Sequence, residues 1–158
     1  MEGQTHELED HPRNTFEEQF SVKEKHQTNA GKVEVADLTP DNLHDLVPIL
    51  LASGWGETPT SHKDTLRTIF SEGRRGITIK YSRTGGQTNH IGQYPEAELK
   101  KAQAALEVLD KKGIDKVDVI AHSEGAINAI IAADLDSQRI RNIVFVDPAG
   151  LIGKDSLI

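Results

Sequence analysis

Val117-Asp118-Val119-Ile120-Ala121-His122-Ser123-Glu124-Gly125-Ala126 is the stretch whose reading decides the fold. An apolar strand, Val117 to Ile120, runs into a sharp turn, and the apolar helix Ala126 to Leu135 begins at once. At such a bend the strand and helix backbones nearly touch, so the residues two before and two after the serine must be very small. Ala121 and Gly125 meet that demand. A serine there is held with its hydroxyl outside the sheet, and the helix N-terminus behind it offers free N–H groups and a favourable dipole to a developing anion.

Strands and helices alternate on both sides of this turn. Downstream lies the strand Ile143-Val144-Phe145-Val146. Upstream, an amphipathic helix is predicted from about Pro95 to Lys112, with Leu99, Ala102, Leu106 and Leu109 on one face and Gly113 as its stop. Before it come the strand Ile77 to Tyr81 and a helix after Pro59 with the stripe Leu66, Ile69, Phe70, ended by Gly73. The run Leu46 to Ala52 reads as a strand buried on both faces, although Pro48 removes a ladder donor. Two weaker strands are expected at Phe20–Lys23 and Lys32–Ala36, with a turn at Asn29 to Gly31. This alternation predicts an α/β fold, a mostly parallel sheet with helices on both faces. Residues 1–18 are polar and acidic and read as a disordered tail, leaving 19–158 as the folded part. His6 and His11, five apart, do not share a helix face, so a metalloprotease-like pair is not expected.

Composition narrows the functional classes. The 158 residues suffice for one domain, with 36% hydrophobic and 27% charged residues. The net charge of −7 and the lack of a Lys/Arg stripe argue against nucleic acid as partner. There is no cysteine, which excludes disulfides and thiolate chemistry. No apolar run is long enough to span a bilayer, and Met1 to His6 has no signal-peptide character, so the expectation is a cytoplasmic protein.

Ala121-His122-Ser123-Glu124-Gly125-Ala126 resembles the nucleophile elbow of the α/β-hydrolase superfamily, with Ala in place of the usual first Gly. Ser53-Gly54-Trp55-Gly56 resembles the family's His-Gly oxyanion loop, with Ser where His is usual. Tyr81-Ser82-Arg83-Thr84-Gly85-Gly86 resembles the Asp-x-Arg-Gly-x-Gly turn, with Ser82 replacing Asp. Val146-Asp147-Pro148-Ala149-Gly150 resembles the strand end that precedes the cap or lid. The resemblance runs over roughly residues 32 to 158.

It implies an α/β-hydrolase-type serine hydrolase with Ser123 as nucleophile and the backbone N–H groups of Trp55 and Glu124 as oxyanion hole. Asp147 is a candidate acid, as in some lipases; in most members the acid comes one strand later. The reaction would be acyl transfer to water on a small-molecule acyl substrate: an ester, thioester, amide or carbon–carbon bond next to a carbonyl. Neither cofactor nor metal is implied, and the oligomeric state is open. The family order is Ser, acid, His, and no histidine follows Ser123, so the expectation is a fragment, inactive by itself, that ends near the start of the lid. Cut there, Ile143 to Val146 would be an exposed apolar edge.

Other residues read as bystanders. His122 is filler beside the nucleophile, and His62 and His90 face solvent. Glu96, Glu98, Lys100 and Lys101 form a solvated helix face, and Trp55 serves equally as a packing residue. Two rival functions stand beside the hydrolase. One is a non-catalytic, ligand-binding member of the same fold. The other is an NADP-binding Rossmann domain, since Gly54-x-Gly56 follows a strand and Ser82-Arg83 follows the next; it lacks the third glycine and leaves the elbow unexplained.

Overall fold

The computed structural model describes residues 15–81 and 95–151. Six strands form one sheet: β1 (Glu24–Thr28), β2 (Gly31–Leu38), β3 (Ile49–Ala52), β4 (Gly76–Tyr81), β5 (Val117–His122) and β6 (Ile140–Val146), in the order β1-β2-β4-β3-β5-β6. The last four are mutually parallel, whereas β2 runs antiparallel to both β1 and β4. Four helices accompany them: α1 (Phe16–Ser21), α2 (Lys63–Ser71), α3 (Glu96–Lys111) and α4 (Gly125–Leu135), with a 3-10 turn at Pro59–His62 leading into α2. None of the described helices is long and apolar enough to cross a membrane.

Strand alternation sorts the core into two layers, because successive side chains leave a strand on opposite faces. Leu50 of β3 packs with Val119 and Ala121 of β5, Val108 and Leu109 of α3, and Ala126 and Ala129 of α4. Its neighbour Leu51 joins the other layer, with Leu38, Leu66 of α2, and Phe16 and Phe20 of α1. Helices therefore cover both faces, as the element pattern predicts. Each fully buried Leu, Val or Ile in these layers contributes about 1.5–3 kcal/mol relative to solvent exposure.

Several expected boundaries move. Residues 16–18, read as tail, belong to α1, which Thr15 and Glu18 close with a reciprocal capping box. Phe20–Lys23 is not a strand: α1 continues to Ser21, and β1 starts at Glu24. Phe20 instead stacks on Phe16, ring centroids 5.4 Å apart, and both are buried. The strand expected from Leu46 begins at Ile49, and Leu46 is exposed. Pro48 thus sits just outside the ladder, its carbonyl accepting from the Asp118 N–H at 2.9 Å. The α3 stripe is rotated from expectation: Ala102, Ala105, Val108 and Leu109 are buried, while Leu99 faces outward.

Two features frame the parallel strands. At their N-terminal ends Asp118 accepts from Arg74, Arg141 and Asn142. The Arg141 hydrogen bond, with those from Arg74 and Asn142, outweighs burial and holds the Asp118 carboxyl well below the usual carboxylate range. Along the outer side, β6 is the edge strand of the described sheet; of the exposed stretch expected over Ile143 to Val146, Val144, Phe145 and Val146 are exposed, whereas Ile143 is half-buried against the core.

Candidate active site

The strand order reverses between β3 and β5: β3 leads to β4 on one side, and β5 lies on the other. In open α/β sheets ligands bind in the crevice beyond the carboxyl ends of strands at such a switch point. Ser123 stands there. β5 ends at His122, α4 starts at Gly125, and Ser123 between them has φ 51°, the left-handed region that a non-glycine residue rarely adopts. The turn is pinned to the end of β6. The Ser123 N–H donates to the Val146 carbonyl (3.1 Å), and the Ser123 carbonyl accepts from the N–H groups of Ala126 (3.1 Å) and Ala149 (3.0 Å).

The small neighbours are required by contact. A Cβ on Gly125 would lie 2.1 Å from the Ala52 carbonyl oxygen and 2.6 Å from its carbon, so α4 meets β3 backbone to backbone. Ala121 is fully buried. A Cβ on Gly54 would lie 3.0 Å from Ser123 Cβ and 2.9 Å from Glu57 Oε2, so the loop after β3 presses against the turn.

The other residues named from sequence fall around this point. Glu124 precedes the first residue of α4 with helical backbone angles, which places its N–H at the positive end of the helix dipole. Trp55 lies on the loop after β3 and is 72% exposed, outside the buried core. Ser53 Oγ is 3.4 Å from Thr78 Oγ1. Asp147 follows β6 directly, is exposed, and has φ 44°, a second left-handed residue beside the Ser123 turn. Ser82 to Gly86 and His90 lie outside the described residues.

Two clusters beside the turn overturn expectations. His62 does not face solvent. Its side chain is 12% exposed, and its Nε2–H donates to Glu57 Oε2 at 2.9 Å. His122 is more than filler: strand alternation aims it at the same loop, and its Nδ1–H donates to the Glu57 carboxylate at 3.0 Å. The imidazoles must be the donors here, because an ionised carboxylate only accepts. The two rings meet edge to face, centroids 5.9 Å apart. Glu57 also accepts from the Gly54 N–H. Burial alone would raise the Glu57 carboxyl; hydrogen bonds from His122, Gly54 N–H and His62 outweigh it and hold the group below its ordinary value. One ligating atom from each of the three residues falls within 4.8 Å of the others. They line a cavity of about 250 Å³ shared with Ser61, Thr65 and Val146.

Glu98 likewise departs from the solvated face assigned to it. It is 4% exposed, and its Oε2 is buried without a hydrogen-bond partner. Lys101 Nζ bridges it (3.3 Å) to Glu124 (2.9 Å) at the start of α4. Burial, then the hydrogen bond shared with Glu124, pushes the Glu98 carboxyl up to about 7, against the pull of Lys101. The Tyr81 hydroxyl closes the group by donating to the Lys101 carbonyl at 3.0 Å. Neither cluster shows as a sequence pattern: residues 57 and 122 meet only because β3 and β5 are neighbours, and Glu98 is buried only because α4 packs on α3.

The glycine turn after β3 also differs from a dinucleotide loop. No α-helix opens at Gly54 or Gly56, and the Gly54 N–H is already taken by a carboxylate, which would repel a pyrophosphate.

Neither a protein-family model nor a curated relative matches the chain. Solved structures do. An epoxide hydrolase, CorEH, superposes with a TM-score of 0.68 at 19% identity, over 87% of this chain and 46% of that one. An esterase from Exiguobacterium antarcticum gives 0.67 at 18% identity, over 82% and 46%. A variant of AqdC, which recognises and ring-cleaves the Pseudomonas quinolone signal, gives 0.65 at 22% identity, over 80% and 46%. The chain therefore spans about half the length of these structures. Its six-stranded sheet with a tight strand-to-helix turn at Ser123 is the N-terminal part of the α/β-hydrolase fold.

Proposed function

We propose that the chain carries the nucleophile and oxyanion hole of a serine hydrolase, with Ser123 Oγ attacking an acyl carbonyl and transferring the acyl group to water. The observation that carries the reading is the left-handed Ser123 between β5 and α4, with Gly54 against its Cβ and Gly125 of the following helix against the β3 backbone. A strained serine at a strand-to-helix bend costs on the order of 1 kcal/mol or more and persists where the surroundings over-determine it. Holding a hydroxyl at the mouth of the switch-point crevice is a use for that strain.

In this proposal the N–H groups of Trp55 and Glu124 receive the charge that develops on the carbonyl oxygen. Aligned N–H donors are worth most where charge appears only in the transition state; loss of one costs on the order of 10²–10³ in rate. The dipole of α4 adds to them. Asp147 is retained as the candidate acid because it leaves β6 next to the carbonyl that anchors Ser123. The general base in the family order comes after the acid, and no histidine follows Ser123 in these 158 residues. Without a base the hydroxyl is a weak nucleophile at neutral pH. Small acyl compounds are the proposed substrate class.

The test uses a fluorophosphonate probe with added imidazole as a surrogate base. Imidazole-dependent labelling of the chain, mapped to the peptide containing Ser123 and abolished in Ser123→Ala, is the expected result. Labelling spread over several serines and unchanged in Ser123→Ala would reject the reading in favour of a non-catalytic scaffold.

A further inference from the structure

We propose that Glu57, His62 and His122 form a binding site for a divalent first-row transition ion, of the zinc type, at the edge of the Ser123 crevice. The case begins with the donor set. Two imidazoles and one carboxylate are the combination that holds zinc in hydrolytic sites and iron in facial-triad sites, with remaining positions left to water or substrate. Hard ions such as Ca²⁺ and Mg²⁺ take oxygen cages instead, which two ring nitrogens do not supply.

Geometry comes next. His62 Nε2 and His122 Nδ1 lie 2.9 and 3.0 Å from the Glu57 carboxylate, and the three ligating atoms lie within 4.8 Å of one another. An ion with bonds of about 2.0–2.1 Å in tetrahedral array separates its ligands by about 3.3–3.4 Å. The two Glu–His edges therefore need to open by a few tenths of an ångström, and the two ring nitrogens lie no more than 4.8 Å apart. Each imidazole would bind as the neutral tautomer that carries its proton on the other ring nitrogen, so that the nitrogen now facing Glu57 turns a lone pair to the ion.

The supporting shell is in place as well. The Gly54 N–H donates to Glu57, and Gly54 has no room for a side chain, so the carboxylate is oriented by fixed backbone. The donors come from the β3 loop, the 3-10 turn and the end of β5, which the sheet holds together. A cavity of about 250 Å³, lined also by Ser61, Thr65, Ile120 and Val146, gives the ion an entry path and room for a water or substrate ligand. One carboxylate and two neutral imidazoles leave a bound dication with net positive charge, next to the serine but not through it. The site stands whether or not Ser123 is a nucleophile.

The experiment titrates Co²⁺ into the chelator-stripped 158-residue chain and follows the visible d–d absorption, then displaces it with Zn²⁺ followed by calorimetry. A saturable band at one equivalent, bleached by one equivalent of Zn²⁺, is expected. Since loss of a supporting partner alone costs 10–100-fold in affinity, His62→Ala, His122→Ala and Glu57→Gln should each weaken binding by at least about 100-fold. His26→Ala, on the far β1 strand, should bind as the wild type does. Far-UV circular dichroism and a metal-free melt of each variant separate lost ligation from lost folding. His62→Gln, a conservative change on a partly exposed turn, serves as the second variant there. Absence of a saturable band in the wild type, or an undiminished band in the His62→Ala/His122→Ala double variant, would overturn the site.

Discussion

Adding one methyl group at Gly125 should unfold this protein more readily, although the same change in most helices stabilises. Gly125 is the first residue of α4. By propensity alone, Gly→Ala in a helix is worth up to about 1 kcal/mol in favour of folding. Here the new Cβ would stand 2.1 Å from the Ala52 carbonyl oxygen and 3.0 Å from that of Ser53, both backbone atoms at the C-terminal end of the central strand β3. A carbon needs more than 3 Å from such an oxygen, so helix and strand must part by about 1 Å. Overpacking of this kind costs about 1–3 kcal/mol, occasionally more, and backbone on both sides places it at the upper end. The net expectation for Gly125→Ala is a loss of about 2 kcal/mol. At this chain length that is a fall of roughly 4–8 °C in Tm. Urea titration followed by far-UV circular dichroism is the assay. Gly113→Ala is the reference: Gly113 has φ 63° but nothing within 4 Å of its missing Cβ, so only the left-handed strain of about 1–2 kcal/mol applies. Joining both variants to Ser123→Ala tests additivity, which should hold for the distant Gly113 and fail for the adjacent Gly125. A Gly125→Ala protein as stable as wild type would refute the close approach, and with it the physical basis for a forced Ser123 conformation.

Ser123→Gly should raise stability by about 0.5–1 kcal/mol, because glycine adopts φ 51° without strain, while imidazole-dependent fluorophosphonate labelling disappears; a less stable variant would contradict the strain. Glu98 gives a pH signature. Its carboxyl is raised in the folded state, so between its ordinary value of 4.5 and about 7 the folded protein binds the extra proton, and stability falls as pH rises through that window. The effect is on the order of 3 kcal/mol. Glu98→Gln should flatten the fall in urea midpoint between pH 5 and 7.5, and an unchanged slope would reject the assignment. On β6, where Val144 is 58% exposed at the sheet edge, Val144→Lys should reduce concentration-dependent light scattering without altering the far-UV spectrum; unchanged scattering would show that this edge does not drive association.

How much of this could be read from the chain follows from the range of the forces involved. The elbow was legible because strand, small residue, serine, glycine and helix are contiguous, and the steric demand acts between residues a few positions apart. The strand-and-helix order was legible for the same reason, apolar periodicity being a local property. Even α1 carried a signature in Thr15 and Glu18. Six residues do not make a stable helix alone, however, and Phe16 and Phe20 hold it only by packing on Leu38 and Phe70.

What no local pattern contains is which strands become neighbours. Leu46 is as apolar as Leu50, yet it lies before the ladder and stays exposed. Glu98 sits in a run of charges that looks solvated, and only the arrival of α4 against α3 closes water away from it. Glu57 and His62 stand far along the chain from His122, and they converge because β3 pairs with β5 and because strand alternation turns His122 towards the same loop. By itself, then, the order of residues determined the elements and the bend at Ser123, whose causes are short-range sterics and periodicity. The tertiary structure decided which charges are buried and which ring nitrogens meet one carboxylate, since those depend on contacts between segments that only the closed sheet brings together.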